Sequence, residues 1–219
     1  MTTTADISEL VGRVHVCDCL EFMRGLPDGC VDAVVTDPPY GVGLKYAEGT
    51  PPDNEWPAET ITECLRVASG PVFVFGAAPP KHLARAIALQ PDRCYVWSPR
   101  FTLAQTRSSG SFWRWHPIWA WRLPNDTGLA FDMLTDPCDG HNWWNHPATK
   151  PESLMTRLVN ATQGVVLDPF LGSGTTAVVC ERLGRRWIGC EINPTYAALA
   201  EKRIQREREK LQFDFGEAT

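Results

Sequence analysis

TDPPYGVGL, residues 36–44, sets a carboxylate, two prolines and an aromatic ring directly after the apolar run Val31-Asp32-Ala33-Val34-Val35. Proline has no N–H for a sheet ladder and pushes the preceding residue out of the helical region. The spacing therefore predicts a strand ending near Thr36 and a fixed turn beyond it. Asp37 and Tyr40 are then held at a strand's carboxyl end, the edge at which open α/β sheets bind ligands. Asp-Pro and Pro-Pro pairs also serve as plain loop punctuation, so this stretch alone leaves a site and a simple turn both open.

A second stretch, VVLDPFLGSGTTAVVCERLGRRWIGCE, carries a clearer ligand signal. A strand ends at Asp168, Gly172 and Gly174 let the backbone turn tightly and approach a ligand, and a helix starts at about Thr175. Glu191 ends the next strand. An acidic residue about 20 positions beyond a glycine turn suits a ribose diol, whose two hydroxyls it can accept, so the expected ligand is an adenosine-type nucleoside. A dinucleotide site calls for a third glycine that LGSGTTA lacks, and Asp168 would repel a pyrophosphate. S-adenosylmethionine has no phosphate and carries an ammonium and a sulfonium, so charge complementarity favours it over NAD. A P-loop is excluded because Gly-Lys-Ser/Thr is missing.

The elements that must position these residues alternate. RVHVCDCLEFMRGLPDGCVDAVVTDPPY reads as strand, acidic turn, short helix, Gly/Pro turn and strand. ETITECLRVAS has helical apolar spacing at Ile61, Leu65 and Ala68, GPVFVFG is a continuous apolar strand, KHLARAIALQ a helix and CYVWS a strand. From PESLMTRLVNAT onward the order is helix, strand, glycine loop, helix and strand, then a final helix that Asn193 could cap with Pro194 in its first turn. The pattern is α/β with a mostly parallel sheet. Residues 101–145, rich in Trp, Arg, Ser, Asp and Pro, read as an insertion within a single domain spanning 1–219. In it Trp113 and Trp115 share one face of an extended segment, as do Trp119 and Trp121. Core packing of these rings is favoured over nucleotide stacking.

Bulk properties agree with an ordinary globular domain: 219 residues, 43% hydrophobic and 21% charged. No run approaches a membrane span and MTTTADISEL lacks the regions of a signal peptide, so a cytoplasmic protein is expected. The eight cysteines contain no C-x-x-C pair and lie mostly in apolar runs, which predicts reduced thiols and no metal site. A formal charge of -5 argues against wholesale wrapping of nucleic acid but not against local patches at Arg100, Arg107, Arg114 and Arg122.

DPPY, HPATKP and DPFLGSGTT, in that order, resemble the amino-methyltransferases of DNA, in the class whose catalytic motif precedes the cofactor loop. The resemblance runs from about Arg13 to about Arg203. It implies a Rossmann-like S-adenosylmethionine-dependent methyltransferase fold with circularly permuted motif order and helices on both faces of the sheet. It also implies a target-recognition region between the motifs, here about residues 101–145. Asp18, followed by Cys19, matches the acidic residue that contacts the cofactor adenine; on the sequence alone Asp18 serves equally as a helix cap. Asp168, Phe170, Gly172, Ser173, Gly174 and Thr175 match the cofactor loop and Glu191 the ribose carboxylate. Asp37 is grouped with the cofactor residues as well as the catalytic ones, and His146, Pro147, Lys150 and Pro151 match the motif preceding the helix at the methionine end.

The resemblance assigns the chemistry to Asp37, Pro38, Pro39 and Tyr40. An exocyclic amine is a poor nucleophile because its lone pair is delocalised into the ring. Accepting hydrogen bonds from it, by the Asp37 carboxylate and the Pro38 carbonyl, draws it toward tetrahedral geometry. Tyr40 can stack on a base rotated out of the duplex. Attack on the methyl is direct, so Pro137-Cys138, which is similar to the nucleophile of cytosine carbon-5 enzymes, is an incidental loop thiol between acidic residues. Asp at position 37 points to adenine N6; cytosine-N4 enzymes of this kind usually carry Ser there, and enzymes methylating glutamine carry Asn. Double-stranded DNA is the expected partner, with a homodimer and a companion restriction nuclease left open. Cytosine-N4 methylation is the alternative, followed by an inactive cofactor-binding protein that binds DNA and an NAD-linked oxidoreductase.

Overall fold

A computed structural model describes residues 7–39, 46–48, 50, 58–77, 80–99, 115–129, 132–137 and 149–216. Eight strands form one sheet, β1 (Val14–Val16), β2 (Ala33–Thr36), β3 (Val72–Phe75), β4 (Arg93–Trp97), β5 (His116–Trp121), β6 (Met133–Leu134), β7 (Val165–Asp168) and β8 (Arg186–Glu191). Their spatial order is β1-β8-β7-β2-β3-β5-β4-β6, and only β5 runs antiparallel to its neighbours. The helices are α1 (Cys19–Arg24), α2 (Ala58–Val67), α3 (Pro80–Ile87), α4 (Glu152–Asn160), α5 (Thr175–Arg182) and α6 (Pro194–Gly216). α1 packs on α2, and α5 packs between α4 and α6.

Every residue of β2, β3 and β7 is buried, as expected for strands covered on both faces and made of Val, Phe and Leu. Two helices, α1 and α6, start where the sequence supplies a side-chain cap. Asp18 Oδ1 accepts from the Leu20 and Glu21 N–H groups at 2.9 and 3.0 Å. Asn193 Oδ1 accepts from Thr195 N–H at 2.9 Å, and Pro194 opens α6 without wasting a donor. On α2 the buried face is Thr60, Ile61, Cys64 and Val67, so Leu65, expected on that face, is only half-buried.

β7 and β2 lie side by side in mid-sheet, and the chain leaves them in opposite directions: β7 through α5 to β8, β2 through α2 to β3. This is a topological switch point, the crevice in which open α/β sheets bind ligands. The C-terminal α6 returns against the N-terminal β1. Joining those ends and cutting before α4 would restore a doubly wound order beginning with the glycine-loop strand, so the fold is the Rossmann-like sheet in circularly permuted form.

The extent of the insertion differs from the expectation. Residues 116–121, which read as part of it, form β5, which pairs with β3 through Val72–Trp121, Phe73–Ala120, Val74–Trp119 and Phe75–Ile118. Trp119 and Trp121 are core residues, 6% and 5% exposed. Met133–Leu134 adds β6 beside β4. Trp113, Arg100, Arg107, Arg114 and Cys138 lie outside the described residues.

Candidate active site

Four acidic side chains converge because four parallel strands end together. Asp18 follows β1, Glu191 ends β8, Asp168 ends β7 and Asp37 follows β2, the spatial order of the strands themselves. All four line one cavity of about 290 Å³. Lys150 is the one basic side chain among its described lining residues, and it is paired with Asp37. Such a cavity favours a cationic ligand over an anionic one.

Asp168 is the best-anchored of the four. Its Oδ1 accepts from the Thr36 hydroxyl at 2.7 Å and the Phe170 N–H at 3.1 Å, and its Oδ2 from the Thr176 hydroxyl at 2.6 Å. Complete burial pushes its carboxyl up to about 6, against these hydrogen bonds and with help from the nearby Asp37 charge. Asp168 thus fixes the loop to two strands as well as facing the cavity.

Glu191 holds the glycine loop to its own strand end. Its Oε2 accepts from the Gly172 N–H and its Oε1 from the Asn193 N–H, each at 2.8 Å. Burial pushes the carboxyl up, and the backbone N–H bonds from Asn193, Gly172 and Ile192 oppose the shift. The two oxygens offer about four lone-pair directions and the three N–H groups take three, so the carboxylate can still accept a hydroxyl. Gly172 has φ +55°, the left-handed region open to glycine, which aims its N–H at Glu191.

The cofactor-loop residues divide by role. Phe170, Gly172, Ser173 and Thr175 line the cavity. Gly174 faces elsewhere: with φ +83°, it brings α5 against α6, and a Cβ there would sit 2.9 Å from Ala200 Cβ. Behind the loop stands Arg203, 4% exposed, which no local sequence pattern singles out. One of its terminal nitrogens donates to the Ser173 carbonyl at 2.7 Å, the Ser173 hydroxyl at 3.0 Å and the Thr175 hydroxyl at 3.1 Å; the other pairs with Glu152 at 3.1 Å.

Asp18 is a helix cap through Oδ1 and also faces the cavity, so both readings of this residue meet in one side chain. Cys19 lines the cavity beside it, and burial, with the Asp18 charge, pushes its thiol up to about 12. Asp37 lies one residue past β2, followed by buried Pro38 and by Pro39 at the cavity. Lys150, from the motif that precedes the helix at the methionine end, lines the cavity and places its ammonium against Asp37 Oδ2. Thr149 and Ser173 hydroxyl oxygens lie 3.2 Å apart, tying that segment to the glycine loop. Residues beyond the proline turn are fastened over the same site: Ala47 N–H donates to the Tyr196 hydroxyl at 2.9 Å, and Asn193 donates to the Glu48 carbonyl and the Thr50 hydroxyl at 2.9 and 2.8 Å. Tyr40, His146 and Pro147 lie outside the described residues. No helix among the described residues is long and apolar enough to cross a membrane.

Known proteins resemble this chain in sequence and in fold. The type II methyltransferase M.HpaI of Haemophilus parainfluenzae is 26% identical over 238 residues, spanning 89% of this chain and 74% of that protein. The crystal structure of M1.HpyAVI in complex with SAM superposes with a TM-score of 0.65 at 22% identity, covering 88% of this chain and 98% of the other. PvuII DNA methyltransferase, described as cytosine-N4-specific, gives 0.67 at 19% identity, covering 87% and 85%. These structures bear on the fold alone. Residues 84–202, more than half of the chain, match the N6/N4 methyltransferase family profile, described as DNA methylase. With the acidic strand ends, glycine loop and permuted sheet already in place, the chain belongs to the N6/N4 family of DNA methylases.

Proposed function

We propose that this chain methylates the exocyclic N6 amine of adenine in double-stranded DNA, with S-adenosylmethionine as donor. The observation that carries the reading is Asp37, held by a proline turn at the switch point and facing the same cavity as Glu191 and the glycine loop. When bound, the cofactor supplies an electrophilic methyl whose bond to sulfur breaks as the bond to nitrogen forms, the electron pair staying on sulfur. The acid-lined cavity suits its two positive charges, and Glu191 retains acceptor directions for the ribose hydroxyls.

The chain's own residues do the rest. Asp37 and the Pro38 carbonyl accept the N–H bonds of the target amine, restoring its lone pair for attack. Tyr40 stacks on the extruded base, since the amine is out of reach within the duplex. After transfer the surplus amine proton leaves to water. Asp rather than Ser at position 37 supports adenine over cytosine, and cytosine N4, the other amine in the scope of the matched N6/N4 family, is the second reading.

The test is transfer of a labelled methyl from S-adenosylmethionine to DNA by wild type and by Asp37→Ala. Wild type is expected to label DNA. The variant is expected to bind the cofactor with wild-type affinity and to lose transfer, because the missing acceptor acts mainly in the transition state. Near wild-type turnover by the variant would reduce Asp37 to a turn residue.

A further inference from the structure

Lys150 is 8% exposed, a depth at which an ammonium requires a counter-charge. Its ammonium meets the Asp37 carboxylate through Oδ2. The ammonium also lies 5.1 Å from the centroid of the Phe75 ring, within range of a cation–π attraction. The sheet produces this arrangement. β2 and β3 are in parallel register with Thr36 beside Val74, so the turn residue Asp37 and the final β3 residue Phe75 emerge next to each other. Lys150 reaches them from the segment that precedes Pro151 and α4, itself steadied by Thr149 against Ser173.

We propose, resting on the reading of Asp37 as acceptor for the target amine, that Lys150 is a positioning residue of methyl transfer that holds Asp37 rather than the cofactor. An ammonium in contact with a carboxylate favours its charged form and limits its rotation. The aromatic face and the buried stem limit the ammonium in turn. The carboxylate has about four lone-pair sites over its two oxygens, so the Lys150 ammonium does not by itself fill the group's capacity to accept from an amine. Held as an anion beside a cation, Asp37 orients the amine's lone pair through the transition state without keeping the proton, which passes to water. Ser173 and Thr149 then link the cofactor loop to the same lysine-bearing segment, so one short stretch steadies both halves of the site.

The experiment compares wild type, Asp37→Asn, Lys150→Met, Lys150→Ala and the double variant Asp37→Asn/Lys150→Met. Lys150→Met is expected to bind S-adenosylmethionine by calorimetry within about threefold of wild type and to keep KM for DNA. Its kcat should fall about 10- to 100-fold, the scale typical of residues that orient a reacting group. Ethylammonium should restore turnover to Lys150→Ala saturably, whereas tetramethylammonium, which has no N–H, should not. In the Asp37→Asn background the lysine replacement should cost no further turnover, because its effect runs through Asp37. That double variant removes both charges together, so it reports even if the single variant is too unstable to study. Loss of cofactor affinity in step with turnover, unchanged kcat in Lys150→Met, absence of ethylammonium rescue, or additive losses in the double variant would each overturn the proposal. A wild-type protein that methylates no DNA overturns the functional reading itself, which separates the two failures.

Discussion

The Thr36 hydroxyl donates to the Asp168 carboxylate at 2.7 Å, joining residues 132 positions apart in sequence. The bond crosses the switch point, so the strand that leads into the proline turn and the strand that leads into the glycine loop end as one unit. Thr36→Val keeps the shape of the side chain but removes the donor from a buried carboxylate. Stability should fall by about 1–3 kcal/mol, the range for an unsatisfied buried polar group. Urea unfolding of the variant measures it, and an unchanged midpoint would show that the bond holds nothing together.

Asp168 also sets a pH dependence. Its folded carboxyl titrates at about 6, above its ordinary value of 3.8. Between these values the folded state binds more protons than the unfolded state, so this group's contribution to stability falls as pH rises through the window and improves as pH drops. Relative to Asp168→Asn, wild type should gain about 1 kcal/mol on going from pH 7 to pH 5. The comparison cancels the other carboxylates. A wild-type advantage that shrinks on acidification would contradict the assignment.

Arg203 braces the loop from behind through the Ser173 carbonyl and two hydroxyls. Arg203→Met retains much of the buried stem and removes every donor. The expected outcome is a loss of about 2 kcal/mol in stability. S-adenosylmethionine affinity should weaken by about tenfold, because order in the loop must then come from the cofactor itself. Calorimetry showing full affinity in a destabilised variant would confine Arg203 to holding α6 in place.

Part of the site is legible in local sequence chemistry. Asp37 and Asp168 each follow a valine-rich apolar run and directly precede Pro, and Glu191 follows Trp-Ile-Gly-Cys two residues before Asn193, so strand end and turn are encoded within a few residues. Asn193 and Asp18 announce themselves as caps in the same way. The remainder depends on distant partners. β5 resembles a tryptophan-rich insertion because its neighbours β3 and β4 lie elsewhere in the chain and its antiparallel direction breaks the α/β rhythm. The pairing of Lys150 is hidden because nothing near it in sequence shows that its ammonium meets a carboxylate 113 positions away. Arg203 sits among several charged residues of α6, and only packing against α5 singles it out.

The central claim is that the methyl group arrives on adenine N6. Duplex DNA lacking prior methylation, incubated with the protein and S-adenosylmethionine, digested to nucleosides and resolved by mass and chromatography, tests it most directly. The expected product is N6-methyldeoxyadenosine, absent when Asp37→Ala replaces wild type. N4-methyldeoxycytidine in its place would contradict the adenine assignment, and unmodified nucleosides alone would contradict methyl transfer to DNA.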